Sequence, residues 1–246
     1  MTMYLVGGGP VDGLDEVYDQ FLHQVRSRGN RIAVALLGSQ DEVASYLDNY
    51  AEPLTKRFAE AMIEPIWLTD EDEGPIEWPA DPDGLAGIVV AGGWTPGYLD
   101  ALSSYRDLLA RLIRGGVPYL GFSAGAMIVA KHAIVGGWRY HGRQVAPEVV
   151  GEGSTELVIR DGLGLIGPSI EARADTHTVL ARAIAAMEAG SMNTVAAIDD
   201  ATCLLVDTAS GQTRVLGLGR VTWLTRQGSE IVIRWESALA SENPQE

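Results

Sequence analysis

Cysteine is almost missing: Cys203 is the only one in 246 residues. A lone thiol cannot form a disulfide within the chain or build a cysteine-rich zinc site, so neither kind of stapled fold applies. Basic residues are scarce too. Lys and Arg number 18 against 33 Asp and Glu, a formal net charge of −15. A surface of that sign does not neutralise phosphates and is repelled by anionic lipid, which excludes a general nucleic-acid binder and a membrane-surface protein. No window approaches the roughly 20 apolar residues that span a bilayer. The first nine residues lack a basic stretch followed by a long apolar run, so no secretory signal is expected. The expectation is a soluble, cytoplasmic protein. Nucleotide loops are also missing. Gly7-Gly8-Gly9 and Gly92-Gly93 have neither G-x-G-x-x-G spacing nor a Gly-Lys-Ser/Thr ending.

Apolar residues are plentiful, at 46% of the chain, enough for a large core. Short apolar runs stopped by glycine alternate with helical spacing. Strands are predicted at 4–6, 31–37, 64–68, 87–91 and 117–122. Helices are predicted at 12–28, at 42–62 with a break at Pro53, at 98–114, and from Ala124 to His132. Residues 70–84 are acidic and proline-rich and read as a surface loop. A glycine-rich irregular stretch follows His132, then a helix at 176–189 and short strands over 194–235. Alternating strands and helices imply parallel pairing through right-handed crossovers. The expected fold is α/β, a doubly wound, mostly parallel sheet flanked by helices, with a β-rich C-terminal portion. No linker divides it, so residues 1–246 are expected to form a single domain.

One segment points to chemistry. Gly121-Phe122-Ser123-Ala124-Gly125 matches the G-x-S-x-G nucleophile elbow, in which a tight strand-to-helix turn lifts a serine above the sheet edge. An apolar strand precedes it and a helical run follows, as the motif requires. The alternative is a glycine-rich turn whose serine only caps the helix. A serine nucleophile needs a base, and the histidines are His23, His132, His141 and His177. His23 falls on an exposed helix face and His132 at a helix end. His141 lies in an irregular stretch and stays open. His177, beside a helix start, is favoured because sites on sheet scaffolds collect at element ends. For the orienting acid, Glu148, Asp175, Asp199 and Asp200 are candidates. Gly92-Gly93 ends another strand, where a backbone amide could join that of Ala124 in an oxyanion hole.

Several marks together resemble the serine peptidases that include dipeptidase E and cyanophycinase. They are Gly7-Gly8-Gly9, Ala91-Gly92-Gly93, Gly121 through Ala126, Gly162-Leu163-Gly164-Leu165, Asp175-Thr176-His177 and Ile198-Asp199-Asp200-Ala201-Thr202. The resemblance implies a sheet like that of class I glutamine amidotransferases, with serine in place of their cysteine. It implies Ser123 as nucleophile, His177 as general base, and Gly93 and Ala124 as oxyanion-hole amides. Asp200 falls where cyanophycinase-like members carry a glutamate as the third catalytic residue. About fifteen residues after the serine, where dipeptidase-like members place their acid, this chain has Gly136-Gly137-Trp138. Arginines are sparse after the histidine, and Trp94-Thr95 replaces the polar residues that usually follow the double glycine. Those departures weaken any expectation of Asp-X dipeptides or cyanophycin as substrate. Trp94, Arg173 and Arg182 are the substrate-binding candidates, the arginines through bidentate pairing with a carboxylate.

The expected activity is therefore a metal-independent, cofactor-free serine peptidase or amidase acting on a small peptide or amide through an acyl-enzyme on Ser123. A homodimer stays open, and no nucleic acid or membrane partner is expected. One rival is an α/β-hydrolase-type serine esterase with Glu148 or Asp175 as its acid. The other is a non-catalytic ligand-binding member of the same fold.

Overall fold

The computed structural model describes residues 2–69 and 76–238. The first half alternates as expected: β1 (Thr2–Val6), α1 (Asp15–Arg26), β2 (Arg31–Leu37), α2 (Gln40–Thr55), β3 (Met62–Leu68) and β4 (Gly87–Val90). Then come α3 (Thr95–Ser103), α4 (Arg106–Arg114), β5 (Tyr119–Phe122) and the single turn α5 (Ala124–Met127). Helix α1 turns Val17, Tyr18, Phe21, Leu22 and Val25 into the core, the face set by the helical period. Strands β4 and β5 are buried along their whole length, as strands covered on both faces must be.

The second half is richer in strands: β6 (His132–Gly136), β7 (Arg139–Tyr140), β8 (Arg143–Gln144), β9 (Val158–Asp161) and β10 (Ser169–Ala172). Helix α6 (Leu180–Glu188) leads into β11 (Thr194–Ile198), β12 (Thr202–Asp207), β13 (Thr213–Gly217), β14 (Arg220–Gln227) and β15 (Glu230–Ser237). A seven-stranded sheet runs in the order β13-β12-β1-β5-β4-β2-β3. Its five strands from β1 to β3 are parallel, while β12 lies antiparallel to β1. The expected α/β architecture with a mostly parallel central sheet is therefore present.

Four boundaries differ from the sequence-based expectation. The helix expected from Ala124 to His132 lasts one turn, and His132 opens β6 instead. The helix expected at 98–114 is two helices, and α2 stops at Thr55, so the chain is extended again by Met62. The helix expected from residue 176 begins at Leu180, because 173–178 form a tight turn in which the His177 N–H donates to the Arg173 carbonyl. The largest difference concerns β10, β11, β14 and β15, which form a separate four-stranded sheet. The two sheets meet where the chain passes Gly7. Its carbonyl accepts from the Arg173 N–H, its N–H donates to the Thr202 carbonyl, and the Ala174 N–H donates to Ile198. Those bonds bring the end of the second sheet beside the carboxyl ends of β1, β5 and β4. Crevices outside such strand ends are where open α/β sheets hold their ligands.

Candidate active site

Ser123 stands directly after β5 with φ 47 and ψ −107, a backbone region that non-glycine residues rarely occupy. Such strain persists only where the surroundings impose it. Here the Ser123 N–H donates to the Val6 carbonyl at the end of β1, and its own carbonyl accepts from Ala126 and Met127. The buried Tyr119 hydroxyl donates to the Gly125 carbonyl at 2.7 Å, fixing the turn of α5 from below. The flanking glycines are required by close approach. A Cβ at Gly121 would meet the Gly125 carbonyl, and one at Gly125 would meet the carbonyls of Val90 and Ala91. The five-residue motif is thus a tight strand-to-helix turn with its serine in a strained backbone, the geometry that the motif requires.

Beside it, the Gly92-Gly93 turn is pinned by two tyrosines. The Gly92 N–H donates to the Tyr50 hydroxyl at 3.1 Å, and the Tyr98 hydroxyl donates to the Gly92 carbonyl at 3.3 Å. In a trans peptide the next N–H points opposite to that carbonyl. The Gly93 amide is thereby aimed away from Tyr98. Among the described residues neither the Gly93 nor the Ala124 N–H has a hydrogen-bond acceptor. Two oriented, unspent donors next to a serine are what an oxyanion requires.

A cavity of about 370 Å³ opens over these groups, lined by Ser123, Gly93, Met127, His177, Tyr46 and Tyr50, with Arg173, Arg182, Glu152 and Glu171 among its charged walls. Ser123 and His177 share this cavity without a direct hydrogen bond, an arrangement common before substrate tightens a site. The His177 ring is held below the ordinary imidazole range by burial first, then by the Arg173 and Arg182 charges, with Asp200 and Asp175 opposing. At neutral pH it is therefore neutral and able to accept a proton. Asp200 acts on the ring through space, and its Oδ2 accepts from the Thr176 hydroxyl at 2.7 Å. Its backbone N–H donates to Asp175 Oδ1 at 2.8 Å, so Asp175 fixes the Asp200 turn.

The other acids face elsewhere. Asp199 is buried, accepts from the Arg220 N–H at 3.1 Å, and is pushed up chiefly by desolvation. Glu148 is exposed in a short 3₁₀ turn. His23 is exposed on α1, His132 faces Asp161 at 3.3 Å, and His141 stacks on Tyr140.

The substrate candidates divide. Arg173 lines the cavity, in a left-handed backbone (φ 54), with no carboxylate paired to it among the described residues. Arg182 lines it too, but its guanidinium is committed to the buried Glu171 at 2.6 and 3.1 Å and to the carbonyls of Val150 and Gly137. Trp94 is largely exposed and donates its indole N–H to the Glu152 carbonyl. Sequence reasoning missed Tyr50, Tyr98, Glu152 and Glu171. A glutamate inside the apolar run Ile170-Glu171-Ala172 was the one available signal. Among the described residues no three His, Cys, Asp or Glu side chains cluster as metal ligands, and no helix is long and apolar enough to cross a membrane.

No protein-family model and no curated protein matches the sequence. Solved structures do resemble the fold. One is a peptidase from an acI-B1 Actinobacterium, with TM-score 0.65 and 15% identity over 96% of this chain and 94% of that one. Another, from Listeria monocytogenes EGD-e and named as a candidate Peptidase E, has TM-score 0.52 and 16% identity over 96% of this chain and 98% of that one. At such identities the likeness is one of fold, and across nearly its whole length this chain has the fold of those two proteins.

Proposed function

We propose that the chain is a serine peptidase of the dipeptidase E and cyanophycinase kind, with a class I glutamine amidotransferase-like fold, acting on small peptides or amides. The observation that carries this reading is the strained Ser123 backbone beside two unspent amide donors. Ser123 Oγ attacks the scissile carbonyl while His177 takes its proton. The carbonyl oxygen becomes an oxyanion held by the Gly93 and Ala124 N–H groups. Collapse breaks the C–N bond, and His177 returns the proton to the leaving amine. Water then attacks the acyl-enzyme ester as His177 again accepts the proton; the bond from the acyl carbon to Oγ breaks, His177 returns the proton to Ser123 Oγ, and the acid leaves. Asp200 steadies the imidazolium formed in both halves. Arg173, which lines the cavity with no carboxylate paired to it among the described residues, binds a substrate carboxylate. The whole chain acts as one domain, since the site draws on residues from Tyr46 to Asp200.

The test is a fluorophosphonate probe. Wild type is expected to be labelled at Ser123 and Ser123→Ala to be unlabelled with an unchanged melting temperature. His177→Ala should slow labelling by roughly a hundredfold or more, the usual worth of a general base. Undiminished labelling in Ser123→Ala, or none in wild type, sinks the reading. Asp200→Asn separates it from an α/β-hydrolase-type esterase, which predicts little effect on turnover.

A further inference from the structure

Glu152 lies in a turn between two glycines, with φ 53, and it lines the cavity over Ser123. Three bonds fix it there, all from the segment that follows the Gly92-Gly93 turn. The Trp94 indole donates to its carbonyl at 3.2 Å, and the Thr95 N–H and hydroxyl donate to its carboxylate at 3.4 and 3.3 Å. Thr95 is only two residues from the Gly93 amide. The carboxylate is therefore fixed to the same loop as the Gly93 amide, and α3 starts from that loop.

Its charge is not cancelled. No cation forms an ion pair with Glu152 among the described residues. The arginine whose charge acts on it is Arg182, and that guanidinium is already bound to Glu171 and two carbonyls. Two carboxylates share one arginine, which leaves one negative charge facing the cavity. Glu152 is partly withdrawn from water, where an opposite charge beside it is attracted more strongly than in bulk solvent. Arg173 lines the same cavity, with no carboxylate paired to it among the described residues.

We propose that Glu152 is a recognition site for a positively charged group of the substrate, placed beside the scissile carbonyl. The proposal rests on the peptidase reading and narrows its substrates to ammonium-bearing peptides or amides. The cation comes from a free amino terminus or from a basic side chain, and matched probes separate the two. The Ser123→Ala protein is titrated, with NMR detection, against alaninamide and N-acetylalaninamide, and against N-acetyllysinamide and N-acetylnorleucinamide. One charged probe is expected to bind at least about tenfold tighter than its neutral match, the identity of that pair naming the source of the charge. Adding Glu152→Gln should abolish the difference, and Thr95→Ala, which frees the carboxylate from the hydroxyl, should reduce it. Equal binding within both pairs, no saturable binding by any probe, or an advantage that survives both variants would overturn the proposal. Fluorophosphonate labelling of wild type is read in parallel. Labelling without charge preference sinks this proposal alone, whereas charge preference without labelling sinks the peptidase reading alone.

Discussion

His177 carries two opposing influences that can be removed one at a time. Burial lowers its proton affinity, Arg173 lowers it further, and Asp200 raises it. If the neutral ring is the base, kcat/KM falls on the acid side as the ring protonates, with a midpoint below the ordinary histidine value. Arg173→Gln removes a repelling charge, stabilises the protonated ring, and should move that midpoint to higher pH. Asp200→Asn removes an attracting charge and should move it lower. The check is a pH profile of kcat/KM for both variants. Shifts in the same direction, or in neither, would show that the limb does not belong to His177. The Gly93 amide allows a comparable test, because the Tyr98 hydroxyl bonds the Gly92 carbonyl of the same peptide, and phenylalanine keeps the ring while removing that bond. Tyr98→Phe should lower kcat by about tenfold or more with little change in KM, as expected when a group felt only in the transition state is loosened. An unchanged kcat would mean that the peptide is held without the hydroxyl.

Among the elements, the glycine run after β1 separates structural from functional constraint within two residues. A Cβ at Gly7 would collide with backbone atoms of Ile198 and Asp199, which cannot move independently. A Cβ at Gly8 would collide with the Asp200 carboxylate, a side chain able to swing aside. Gly7→Ala is therefore expected to cost about 1–3 kcal/mol in urea unfolding. Gly8→Ala should leave stability nearly unchanged yet lower kcat/KM by at least about tenfold, since it displaces the acid near His177. Equal effects of the two on stability would contradict this division. Sequence reading located this glycine run but could not say what it met, because the partner lies about 190 residues later in the chain. The same limit explains the elements that were misplaced. Every residue from Ala124 to Ala130 is buried, so no polar face marked where helix α5 ended and the approach to β6 began. The start of α6 was hidden because a left-handed Thr178 (φ 48) ends the turn bearing His177, and threonine does not advertise that conformation. By contrast, β2 and the strand-to-helix turn at Ser123 were legible because period, flanking glycines and local geometry agree there. Glu152 carried no such sign, its role arising only from the loop folded against it.

At the scale of the whole molecule, the four-stranded sheet must be tied to the segment between β6 and β9 that walls the cavity, and a buried ion pair takes part. Arg182 on α6 binds Glu171 on β10 and reaches the carbonyls of Gly137 and Val150, so one side chain ties four segments together. Both side chains are almost wholly buried, at 5% and 0% exposure. Two ions so placed have lost their hydration, and each is tolerable only beside the other. Burial pushes the Glu171 carboxyl up, and Arg182 pulls it back down. Arg182→Met removes only the second influence, leaving a folded-state value well above that of the unfolded chain. A group raised in this way favours folding below its unfolded value and loses that contribution as pH rises. The variant should therefore be about 3–5 kcal/mol less stable than wild type at neutral pH, with a smaller deficit near pH 5. Glu171→Met combined with Arg182→Met should recover much of the loss, though not the two carbonyl contacts. Urea unfolding of the three proteins at both pH values is the measurement. A single variant within about 1 kcal/mol of wild type at neutral pH would mean that the four-stranded sheet and the segment bearing Gly137 and Val150 hold together without this pair, and that its arginine lines the cavity for the sake of Glu152 and the substrate instead.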